Sequence, residues 1–124
     1  MPDPSIYALF ALFFIKHFIT DFALQTGWMV RTKGQYGHIG GVVHAGLHVI
    51  GSAAVLVFFT VSPLLMLTLL AGEGVVHYHL DWAKDRLVSL GGFSPTSQIF
   101  WILTGLDQLL HQLTYLVMIA LIVS

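Results

Sequence analysis

Histidine and carboxylate side chains recur in this chain four residues apart. His17 and Asp21 form one such pair, His44 and His48 a second, Asp107 and His111 a third, and Glu73, His77 and Asp81 a row of three. Residues four apart stack on one face of an α-helix. Each of four segments therefore presents one polar stripe. Gln25 continues the first stripe, Lys84 ends the third, and Gln108 lies beside the fourth. The chain has no cysteine, which excludes disulfides, thiolate ligation and thiol catalysis. Imidazole with carboxylate is a donor set that suits a divalent metal, Zn²⁺ foremost and Mn²⁺ or Fe²⁺ after it. The expected metal ligands are His17, Asp21, His44, His48, His77, Asp107 and His111. Glu73 and Asp81 are the expected catalytic carboxylates, with Glu73 as general base. A bound cation offsets the cost of burying several carboxylates, which otherwise protonate or pair. It also lowers the pKa of a bound water toward neutrality, the requirement for hydrolysis.

The elements that carry these stripes follow from composition. The chain has 124 residues, enough for one domain, and is 56% hydrophobic with only 9% charged residues. Its mean hydropathy is +0.84. A soluble domain carries roughly 25% charged residues, so a soluble globular fold is excluded. A disordered chain and a nucleic-acid-binding module are excluded too, the latter for want of a basic face. The reading is an all-α integral membrane protein: one domain over 1–124, a bundle of four transmembrane helices with a polar His/carboxylate layer inside. A spanning helix needs about 20 mostly apolar residues. The four expected spans cover about 5–27, 41–61, 63–84 and 96–123. Pro63 suits a helix start, where its missing N–H does no harm. Gly-rich, polar connections separate spans one and two, and three and four. At about 1.5 Å of rise per residue the four stripes overlap in one layer. His44 and Asp81 are expected nearer one surface of that layer and His111 nearer the other side.

Orientation follows from the bases. Arg31, Lys33, Lys84 and Arg86 lie in the two connections that share one side of a four-span protein. The positive-inside rule then puts that side in the cytoplasm and both termini outside it, in a bacterial inner membrane. Trp28, Trp82 and Trp101 fall near the same ends, as interfacial aromatics do. The first span lacks a basic region before it and is long, so it is not expected to be a cleaved signal peptide.

Plainer roles compete at several positions. A single intramembrane histidine usually serves packing and hydrogen bonding; the set carries the metal reading, because all four helices contribute. Glu73 has Lys16 as an alternative partner. Asp81 with Lys84, and Asp85 with Arg86, are expected to form interfacial ion pairs of little energetic weight. His38 and His79 are placed at the interface. Gly37-x-x-x-Gly41 and Gly46 are expected to permit close helix packing. Phe10, Phe13, Phe14, Phe58 and Phe59 are expected to face lipid or fill the core.

The row His17-x-x-x-Asp21-Phe22-x-Leu24-Gln25-x-x-Trp28-Met29 is followed by Lys33-Gly34 and by His44-x-x-x-His48. Glu73-x-x-x-His77-x-x-x-Asp81-x-x-Lys84 and Asp107-Gln108-x-x-His111 complete the pattern. It resembles a family of small bacterial and phage membrane proteins, domain of unknown function 3307, over nearly the whole chain. The resemblance implies no activity. A looser similarity to membrane-bound metal-dependent hydrolases implies only a reaction class. The expected function is an intramembrane metal-dependent hydrolase acting on a lipid-linked or membrane-embedded substrate, with lipid as surroundings, no nucleic acid and a possible homo-oligomer. The alternatives are ion or proton translocation along the polar stripes and a non-catalytic membrane interaction subunit.

Overall fold

The computed structural model describes residues 4–124, and among these every regular element is helical. Helix α1 (Pro4–Phe18) continues into a π-turn (Ile19–Ala23); α2 (Gly27–Thr32) is short; α3 (Ile39–Leu56), α4 (Pro63–Gly91) and α5 (Gln98–Val123) are long. Side chains cap four of the starts. The Thr26, Ser62 and Ser97 hydroxyls accept from the backbone N–H groups of Met29, Leu65 and Phe100, and His38 Nδ1 accepts from Gly40. Pro63 occupies the first turn of α4, as expected, and Gly92 ends that helix at φ +60°, a left-handed position suited to glycine.

The long helices form a ring. α1 packs on α3 and α5, and α4 also packs on α3 and α5, so α1 and α4 face each other across the centre. Because the chain reverses direction at each connection, every helix carries its apolar residues toward one end of the bundle and its polar ones toward the other. Leu9, Phe13, Val55, Leu56, Leu69, Tyr115, Met118 and Ile119 fill one half. Phe13 stacks on Tyr115 with ring centroids 5.2 Å apart. The polar stripes fill the other half. Much of the outer surface is apolar: Phe14, Phe18, Ile50, Phe58, Leu67, Val75, Trp101 and Leu109 are all exposed, while exposed polar groups include Arg31, His79, Arg86 and Gln112.

Among the described residues, three helices are long and apolar enough to cross a membrane: Ser5–Ala23, Ile39–Leu56 and Gln98–Val123. The fourth expected span differs. α4 has ample length at 29 residues, but Glu73, Asp81, Lys84, Asp85 and Arg86 lie within it, and it falls short in apolarity. It also runs on to Gly91 rather than ending near Lys84. The first span ends at Ala23 rather than Gly27, and α2 occupies part of the connection read as loop. Of the glycines expected at close packing, Gly41 lies against Tyr78 and the Lys33 backbone. Gly37 is instead a turn residue at φ +80°, and Gly46 has open space.

Candidate metal centre

Five elements deliver the site. His17 comes from the last turn of α1, Asp21 from the π-turn, His44 and His48 from α3, His77 and Asp81 from α4, and Asp107 and His111 from α5. All eight are buried, His44 and His48 completely. π-turns inside helices are rare and recur at functional sites because they re-aim side chains. Here Asp21 points inward, where Asp21 Oδ1 lies 3.1 Å from His44 Nε2 and 3.0 Å from His48 Nε2. Its second oxygen is 3.1 Å from His17 Nε2 and accepts from Gln108 Nε2 at 3.1 Å.

Asp81 gathers a second set. Its Oδ2 is 3.1 Å from His44 Nε2 and 3.3 Å from His77 Nε2, and its Oδ1 is 3.2 Å from His111 Nε2. Asp107 Oδ1 is 3.3 Å from the same His111 nitrogen. Lys33 Nζ reaches Asp81 Oδ2 at 3.5 Å from the end of α2. Burial alone would lower the Lys33 pKa; the Asp81 and Asp85 carboxylates more than offset this and hold it above the ordinary lysine value.

Two groups of ligand atoms, each within 4.8 Å of one another, result: Asp21, His44, His48 and His77, and His77, Asp81 and His111. In a site with bonds of about 2.0–2.2 Å, neighbouring ligand atoms sit about 3.0–3.4 Å apart, the spacing seen here. Hydrogen bonding alone leaves the cluster incomplete. His44 Nδ1 is buried with no hydrogen-bond partner, and His77 Nε2 and Asp107 Oδ1 meet Asp81 Oδ2 and His111 Nε2 only at 3.3 Å, without hydrogen-bond geometry, a costly state for polar atoms. His44 Nε2 is equidistant from two carboxylates, yet one N–H serves one acceptor fully.

The expected residues thus come together, with shifts in place. His44, Asp81 and His111, expected toward different sides of the layer, meet: Asp81 lies 3.1 Å from His44 Nε2 and 3.2 Å from His111 Nε2. His17 and Asp107 stand at the margins of the two groups. Glu73 is turned to Lys16: Lys16 Nζ donates to Glu73 Oε1 at 2.5 Å, and Glu73 Oε2 has no partner. Asp81 pairs with Lys33 rather than Lys84, and Lys84 pairs with Asp85 at 2.6 Å. His38 caps α3, and His79 lies 3.0 Å from the Tyr36 hydroxyl. Gln25 donates to the Asp21 backbone carbonyl.

Tyr115 is the principal residue missing from the sequence reading. Its hydroxyl accepts from Lys16 Nζ at 3.0 Å, lies 3.0 Å from His17 Nδ1 and 3.5 Å from His48 Nδ1. A group on the far nitrogen of an imidazole sets its tautomer and aim. The signal was present: Tyr115 follows His111 by four residues and extends the α5 stripe. Gln108, on the same helix, links Asp21, Asp107 and His17.

No curated protein and no solved structure is significantly similar to the chain. The model of the family described as protein of unknown function (DUF3307) matches residues 9–124, nearly the whole length, and the chain belongs to that family.

Proposed function

We propose that this is an integral membrane protein of a bacterial inner membrane whose interior binds divalent metal and hydrolyses a lipid-linked or membrane-embedded substrate. The observation that carries the reading is the convergence of imidazole Nε2 atoms on the Asp21 and Asp81 carboxylates, with His77 Nε2 and Asp107 Oδ1 meeting their neighbours at 3.3 Å without hydrogen-bond geometry. A divalent cation held by such groups lowers the pKa of a bound water from 15.7 to about 7, which is what hydrolysis at neutral pH requires. Zn²⁺ is the first choice for the donor set, Mn²⁺ or Fe²⁺ the next.

The membrane reading rests on the inverted distribution of polarity: apolar outside, ionisable inside. Intramembrane ionisable groups are costly and belong in bundle interiors. α4 crosses with its neighbours in this reading, its charged positions covered by α3 and α5 or lying toward the end that bears Arg31 and Arg86. That end faces the cytoplasm under the positive-inside rule.

A cleft of about 90 Å³ between α4 and α5 supports lateral access. Leu80, Leu103, Leu106 and Leu110 wall it, and Asp107 lies in its lining. A substrate approaching from lipid meets an apolar entry with a carboxylate of the cluster behind it. The apolar half of the bundle argues against a translocation path, because Leu9, Phe13, Leu56, Leu69 and Ile119 close the line along which the polar stripes would have to continue.

The test is incubation of the purified protein with total bacterial lipid extract, followed by mass spectrometry of the products. The reading expects a hydrolysed lipid species that forms with metal-loaded protein and is lost after chelation. Metal-replete protein that releases no product from any lipid fraction would overturn the hydrolase assignment.

A further inference from the structure

The same cluster offers more ligands than one cation uses. We propose that it holds two divalent cations bridged by the Asp81 carboxylate. This deepens the metal reading above and rests on it.

The reasoning is geometric. Six residues take part in the two groups: Asp21, His44, His48, His77, Asp81 and His111. Six ligands on one octahedral ion would all lie within about 4.2–4.4 Å of one another, since even opposite ligands are two bonds of about 2.1–2.2 Å apart. These six do not form one such group; their atoms separate into two that share His77. A tetrahedral ion uses fewer still. The first position is defined by Asp21 Oδ1, His44 Nε2 and His48 Nε2. The second is defined by His77, Asp81 and His111, with Asp107 Oδ1 outside the group but 3.3 Å from His111 Nε2.

Asp81 stands between them. Its Oδ2 faces His44, at 3.1 Å, while its Oδ1 faces His111, at 3.2 Å. One carboxylate with an oxygen turned to each position is the arrangement of a bridging ligand in two-metal sites, whose ions lie about 3.5–4 Å apart. A single ion at the first position would leave Asp107 Oδ1 buried with only the 3.3 Å contact to His111 Nε2, which lacks hydrogen-bond geometry. A second ion gives that oxygen a full partner. Asp81 is then a ligand to both ions rather than a free base.

The experiment uses the full chain in detergent, stripped with chelator and reloaded with Mn²⁺ or Zn²⁺. Bound metal is counted by elemental analysis, and the Mn²⁺ form is examined by electron paramagnetic resonance. The expected result is two ions per chain and the spectrum of an exchange-coupled pair. His111→Ala is expected to hold one ion, with the hyperfine pattern of an isolated Mn²⁺. Should that variant fail to fold, the wild-type count and spectrum still decide. One ion per wild-type chain, or two without coupling, overturns the bridged pair and leaves the metal reading standing. No bound ion of either kind overturns both.

Discussion

The two halves of the bundle are built on the same four long helices and solve opposite problems. In one half, Leu9, Phe13, Leu56, Leu69, Met118 and Ile119 interlock, with the Tyr115 ring among them. In the other, five histidines and three aspartates replace them at the same helical spacing. Packing of the first half holds the helices at the separation that the second half needs. The second half carries desolvation costs that its internal contacts meet only in part, since several of its atoms lack partners. The contrast teaches that stability and chemistry are divided along the bundle axis, with Lys16, Glu73 and Tyr115 forming the boundary between them.

That division can be broken from either side. The largest effect is expected from Asp21→Ala, which removes a carboxylate facing three imidazoles. Loss of an outer partner of a metal ligand costs about 10–100-fold in affinity, and loss of the ligand itself is expected to exceed this in a Zn²⁺ titration. Next is Glu73→Gln, which leaves the Lys16 ammonium buried without its counter-charge. Stability is expected to fall by about 3 kcal/mol in reversible unfolding, with metal still bound; replacing both partners by Leu recovers most of the loss. Leu56→Ala, in the apolar half, is expected to cost about 2 kcal/mol through the cavity it opens without changing metal content. A drop in metal content there would show that the two halves are not separable. Tyr115→Phe keeps the ring stacked on Phe13 and removes the hydroxyl behind His17 and His48. Metal affinity is expected to fall about tenfold with little change in unfolding. The smallest effect belongs to Asp85→Asn, which breaks the partly exposed pair with Lys84 and is expected to cost under about 1 kcal/mol.

Much of this arrangement is legible in the sequence, for identifiable reasons. The four polar stripes follow from spacing alone, because i and i+4 share a helical face whatever the helix packs against. Ser62 and Pro63 mark the start of α4 after the reversal, but α3 covers Ile39–Leu56 rather than about 41–61, so the link is longer than expected. Helix ends were less accessible. α4 extends to Gly91 because nothing between Lys84 and Gly91 breaks a helix, and apolarity is a poor guide to where a helix stops once it leaves the apolar layer. The π-turn around Asp21 has no residue signature, since it answers to the packing of α1 against α3 and α5. Lys33 illustrates the same limit: a loop base in sequence, it is buried in the fold because α2 turns it back onto Asp81.

The most direct test of the central claim is the metal content of folded wild-type protein purified without chelator, read by elemental analysis beside the Asp21→Ala variant. The account predicts stoichiometric divalent metal in the wild type, Zn²⁺ foremost, and a marked loss in the variant. Wild-type protein that is folded, metal-free and unable to take up added Zn²⁺ or Mn²⁺ would contradict it.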